Sequence, residues 1–248
     1  MNLSKKQTRF LIISNISCWA LLLALLLTGF TGIKNTTFDV ITAERINIVN
    51  EDGTTVMALA NKQRIAAPRM NGKEYPVDMI EREHFAGMIF FNEEGDEIGG
   101  LIFNSAQLPD GRKFGAGHLS FDRYNDNQVI NLEHKENIHG SIKSGITFYD
   151  RTGNGSFGKN LDLIEEYKYQ NISESRKKEI IEEIRKMKKN RDLGVERVFL
   201  GSDNEIPQLT MKDVMGNERI KLFIDSTNVP RLHFYNEKGV LIGEIPKK

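Results

Sequence analysis

The sequence predicts a mainly β fold built from antiparallel β-hairpin repeats, with one helical insertion and an N-terminal transmembrane helix. Three observations predict it. An uncharged run lies near the N-terminus, a turn signature recurs through the rest of the chain, and one charged stretch has helical periodicity.

The uncharged run, residues 10–33, contains 24 residues between Arg9 and Lys34. A helix needs roughly 20 residues to cross the ~30 Å hydrocarbon core of a bilayer. A cleaved signal peptide would have a shorter apolar stretch and a small-x-small exit, and Leu27-Thr28-Gly29 is a poor one. The sequence is therefore read as an uncleaved anchor, with the bilayer as a partner through residues 10–33. Lys5, Lys6 and Arg9 sit on its short side, so residues 1–9 are expected in the cytoplasm and the C-terminal domain outside. Residues 34–38 read as a linker and 39–248 as one domain. Cys18 falls inside the span, which leaves the domain without a thiol and compatible with an oxidising compartment.

Charge is balanced overall, with 34 basic and 34 acidic residues among 248. No acidic residue precedes Asp39. With Lys5, Lys6, Arg9 and Lys34 set aside, residues 35–248 carry 30 basic against 34 acidic groups. Nothing in this balance favours nucleic acid as a partner.

The signature apolar-x-apolar-x-[Asp/Asn]-x-x-Gly recurs five times. It begins at Ile46, Met88, Ile146, Leu209 and Leu232, and its turn residues are Asn50/Gly53, Asn92/Gly95, Asp150/Gly153, Asp213/Gly216 and Asn236/Gly239. Leu119–Asp126 resembles a sixth copy without the Gly. Alternate apolar residues put one face of a strand on a core. Asp or Asn at the first corner bonds its own backbone, and Gly supplies the left-handed residue that closes the hairpin. A returning apolar strand follows each turn, and all six prolines are expected outside strand interiors. The repeats could close as a barrel or prism, or curl into an irregular solenoid.

The gap between the Ile146 and Leu209 copies holds the helical insertion, at about 159–194. From Ser173 onward, Ile180, Ile181, Ile184 and Met187 share one stripe, with acids early and bases late. Residues 162–169 read as a shorter helix before it.

The segments Glu44–Gly53, Ala86–Leu101, Leu119–Gln128 and Arg197–Gly201 resemble an uncharacterised family of bacterial proteins that begin with one membrane span. The resemblance covers about Phe38 to Ile245 and implies localisation and fold, with no established activity. Relatives often carry Arg three residues past the turn Gly; Arg219 fits, whereas Val56, Ile98 and Ile242 do not.

No phosphate-cradling loop, nucleophile elbow or His-Glu-x-x-His motif occurs, and one cysteine cannot build a thiolate zinc site. No cofactor is expected. Among weaker constellations, the acidic run Glu93–Glu97 reads as solvated turn residues. Asp150–Leu161 mimics a calcium loop but lacks the final Glu, and reads as a hairpin turn. Gly111–His118 reads as a flexible loop. His118, Asp122, Asp126 and His134 form the ligand or metal candidate set, because two imidazoles and a carboxylate near one hairpin could bind a metal or move protons. The expected function is an extracytoplasmic structural or interaction module, possible as a homo-oligomer or with an envelope partner. The alternative is an enzyme or ligand binder at those four residues.

Overall fold

The computed structural model describes residues 4–29 and 37–247. Residues 1–3, 30–36 and 248 lie outside the described residues, as do the predicted end of the span (30–33), most of the 34–38 linker and the start of the 1–9 tail. The chain divides into two compact units, Met1–Thr42 and Ala43–Lys248.

The first unit contains helix α1, Lys5–Gly29. It starts five residues ahead of the uncharged run because Ser4 and Gln7 form a capping box. The Gln7 amide donates to Ser4 Oγ at 3.3 Å, and the Ser4 amide donates to Gln7 Oε1 at 2.9 Å. At 1.5 Å per residue, 25 residues extend ~37 Å. The helix is long and apolar enough to cross a bilayer.

The second unit is dominated by one antiparallel meander. Twelve strands pair in the order β1 (Arg45–Val49), β2 (Thr55–Ala60), β5 (Ala86–Phe91), β6 (Glu97–Gln107), β7 (Lys113–Asp122), β8 (Gln128–Glu136), β9 (Ile142–Asp150), β10 (Val195–Asp203), β11 (Ile206–Lys212), β12 (Glu218–Ile224), β13 (Pro230–Tyr235) and β14 (Leu241–Ile245). A small hairpin, β3 (Arg69–Met70) with β4 (Lys73–Glu74), and two 3₁₀ turns at Val77–Ile80 and Arg82–His84 lie in the β2–β5 connection. The sheet is open: β1 and β14 are edges that do not pair with each other. This corrects the expectation of a closed barrel. The turn signature specifies which neighbours pair, and carries no information about closure between the ends of the chain.

Four of the five signatures close hairpins as expected, with Gly53, Gly95, Gly216 and Gly239 donating back to Asn50, Asn92, Asp213 and Asn236. The fifth does not. After Asp150 the chain leaves the sheet for α2 (Ser156–Tyr169) and α3 (Glu174–Lys189), and β9 pairs instead with β10. Asn154, read as part of a turn, accepts the Ser156 amide at 3.1 Å at the start of α2. At the opposite ends of the strands the turns are Leu108–Gly111, Asn137–Gly140, Asn204–Glu205 and Asp225–Asn228. Gly111–His118 is largely strand β7 and not a loop, since small Gly115, Ala116 and Gly117 pair with Ser105, Asn104 and Phe103. Pro230 occupies the first residue of β13, outside the strand interior as expected, whereas Pro207 is the second residue of β11.

Register aligns the signature residues across the whole sheet. One row runs Ile46, Leu59, Met88, Leu101, Leu119, Leu132, Ile146, Leu200, Leu209, Leu222, Leu232, Ile245. Two residues along each strand, on the same face, a second row runs Ile48, Met57, Phe90, Gly99, Phe121, Ile130, Phe148, Val198, Met211, Ile220, Phe234, Gly243.

The core lies on the other face. Ala58, Ile89 and Phe91 pack there against Ile65 and Ala66 of the β2–β5 connection. Met70, Tyr75 and Met79 of that connection pack on Leu161 of α2, and Leu163 of α2 packs on Ile180 and Met187 of α3. The α3 stripe is legible except at Ile181, which is exposed.

Candidate functional site

Two features stand out, one on each face of the sheet. On the covered face, strands β6–β8 supply Glu97, His118, Ser120, Asp122 and Gln128; the β2–β5 connection and α2 close over them. Two adjoining cavities result, of about 120 and 260 Å³. They share Ile80, Arg82, Glu97 and Gln128 as walls.

The shared wall is fixed by a bidentate ion pair. Arg82 Nη1 and Nη2 donate to Glu97 Oε2 and Oε1 at 2.8 and 2.7 Å, and Arg82 is buried. Such a fork presents a planar, fully oriented charge pair. Beyond it lies Asp122, whose carboxyl is pushed up to about 7, first by burial and next by the negative charge of Glu97, with Arg151 and Arg82 opposing. Among the described residues, Asp122 Oδ1, Asn160 Oδ1 and Arg69 Nε are buried without a hydrogen-bond partner, and all three residues line the larger cavity. Met70, Phe157, Leu161 and Ile164 complete it with apolar surface. The arrangement offers acceptors from two side chains, one donor and an apolar wall, which are the parts of a small-molecule pocket.

The structure brings together only half of the sequence-predicted set. His118 lines the smaller cavity and Asp122 the larger. Burial pushes the His118 pKa below its ordinary value, disfavouring the charged ring. Asp126 is a structural group: at 1% exposure it accepts the amides of Asn127 at 2.8 Å and Gly153 at 2.9 Å, tying the β7–β8 turn to the segment leaving β9. His134 stands on the opposite face. It pairs with Gly117, whereas His118 pairs with Glu133, and adjacent residues of a strand point to opposite sides. His134 Nδ1 lies 2.8 Å from Ser144 Oγ. Among the described residues no group of three or more His, Cys, Asp or Glu is placed to hold a metal.

The acidic run is only in part the solvated turn expected: Glu93 and Glu94 are exposed turn residues, whereas Asp96 and Glu97 are not. Asp96 is buried and accepts the Gly72 amide at 2.7 Å, while Glu97 holds Arg82. Arg82, Arg69 and Asn160 were invisible to sequence reasoning because they meet the strands only through long-range packing.

The second feature is the face that carries the two apolar rows. Its members were expected in a core, yet Leu132, Leu200 and Leu222 are 48%, 53% and 48% exposed. No family model, curated protein or solved structure matches the chain.

Proposed function

We propose that this chain is a membrane-anchored structural and interaction module, held by α1 and working through the bare apolar face of its sheet. One observation carries this reading: two rows without a charged residue cross all twelve strands, and their large side chains at Leu59, Leu101, Leu132, Leu200, Leu222, Phe121 and Phe148 are exposed. Contiguous apolar patches larger than a few hundred Å² are uncommon on monomers and mark interaction surfaces. The basic residues Lys5, Lys6 and Arg9 ahead of the apolar stretch support an external domain. The absence of cysteine from residues 37–247 suits that side. Cross-linking in intact membranes, followed by recovery of the chain, tests the module: adducts through the sheet face are expected, and recovery of the free chain alone counts against it. Protease treatment of intact cells tests the orientation, with digestion of the sheet domain expected.

A second reading treats the Asp122 cavity as a small-ligand site, favoured by three buried polar atoms without partners around one space. Thermal-shift screening with small amines and polar metabolites checks it. A ligand that stabilises the wild type and fails to stabilise Asp122→Asn supports the site, and no stabilising ligand across the screen removes it.

A further inference from the structure

The bare face has a relief of its own. In the first row the prominent side chains fall on alternate strands, as at Leu101, Leu132 and Leu200, and the residues between them are half-buried. In the second row the prominent side chains Phe121, Phe148 and Met211 stand on the intervening strands β7, β9 and β11. Knobs and dips therefore alternate in a staggered lattice over the central strands β6–β12. Neither row contains an Asp, Glu, Lys or Arg.

We propose that this face is filled by the same face of a second copy of this chain, the two sheets stacking with apolar rows interleaved. The proposal rests on reading the chain as an interaction module and names its partner. Periodicity selects a copy first. The knobs repeat every second strand, at ~9.6 Å, over a band ~50 Å long, and a second sheet of the same strand count carries dips at that same spacing. Twist selects it next: strands rotate by roughly 20–25° each, so only a partner with matching twist follows the band along its length. Two like-twisted sheets stack about 10 Å apart with strands within about 30° of alignment, their inner side chains interdigitating. Size is adequate as well. A band ~50 Å by ~12 Å gives ~600 Å² of footprint per copy, near the ~800 Å² that each partner contributes to a stable interface. Finally, the rows offer no charge for a polar or ionic ligand to meet. The reverse face of the same strands carries Lys221, His233 and Glu244 in its corresponding row, so the apolar rows are a property of one face alone.

The test uses the full chain in detergent micelles and in lipid nanodiscs. Sedimentation gives its mass, with circular dichroism and thermal unfolding as controls for fold. The wild type is expected to sediment as an assembly. Leu132→Asp combined with Leu200→Asp is expected to release single folded chains, with the dissociation constant raised at least ~100-fold, as for loss of central anchors. Lys221→Glu, on the reverse face, is expected to leave assembly unchanged. A second measurement does not depend on disruptive variants: in a Cys18→Ser background, Leu132→Cys should form inter-chain disulfides while Lys221→Cys should not. A wild type that sediments as a single chain overturns the proposal, as does assembly indifferent to the Leu132/Leu200 change or equal cross-linking from both faces. A single chain that captures liposomes or a defined envelope protein through the apolar rows leaves the module standing with a different partner. A single chain whose face variants alter no interaction removes both.

Discussion

Asp122 and Asp126 stand at either end of one hairpin turn and meet opposite environments. Asp126 is satisfied by two backbone amides, whereas Asp122 keeps one buried oxygen without a donor and is pushed up to about 7. An acid raised from its ordinary value near ~4 binds more protons folded than unfolded between those limits, so its contribution to stability is lost as pH rises from ~4 to ~7. His118 acts in the opposite sense. Its lowered value means the unfolded chain takes up the proton first, so its contribution falls as pH drops below ~6.5. Asp122→Asn should raise the melting temperature at alkaline pH and flatten the stability profile between about pH 4 and 7. Scanning calorimetry across that range checks it, and an unchanged profile would show that solvent reaches the carboxyl. Arg82→Ala leaves the Glu97 carboxylate buried and unpaired, with an expected cost of about 3–5 kcal/mol in chemical denaturation. Exchanging both partners for apolar residues of similar volume should cost much less, because no stranded charge remains.

Among the elements, α3 was legible but for Ile181, which faces out. Ser173 caps it by accepting the Arg176 amide at 3.2 Å, and Ser173→Ala should lower stability by about 1 kcal/mol in urea titration. The α2–α3 pairing was not legible: Arg176 bridges Glu166 of α2 and Glu183 of α3 at 2.8 and 3.0 Å, a contact that exists only once the helices turn back on each other. The seam where β9 meets β10, across the insertion, depends on two facing glycines. A Cβ at Gly201 would lie 2.1 Å from the Ser144 carbonyl oxygen, and one at Gly145 would lie 2.6 Å from the Phe199 ring. Gly201→Ala should therefore destabilise the sheet by about 1–3 kcal/mol, the usual cost of overpacking. Equilibrium unfolding measures it, and a neutral substitution would mean that the seam relaxes freely.

At the scale of the whole molecule, the two faces of one sheet have divided their tasks. One is covered by the chain's own connection and helices and holds the polar cavities. The other carries the two uncharged rows with their exposed leucines and phenylalanines, flanked by His134 and Ser144. If its rows drive association, the driving force is hydrophobic and owes nothing to charge. Assembly should then persist from low salt to ~1 M sodium chloride, where exposed ion pairs are screened, and tighten in sulfate. Sedimentation equilibrium in those salts checks both, and dissociation by sodium chloride would point to ionic contacts elsewhere.

By itself the sequence determined the local structure: an apolar helix at the N-terminus, hairpins closed by Asn or Asp with Gly, and the charged helix α3. These rest on neighbours a few residues apart, where side-chain period and turn chemistry suffice. Only the tertiary structure decided that the sheet stays open, that Asp150 leads into helices and not a hairpin, and that His118 and His134 point to opposite faces. It alone placed Arg82 on Glu97. Each of these depends on register and on contacts between distant segments, and a strand's alternation says that one face is apolar without saying what covers it.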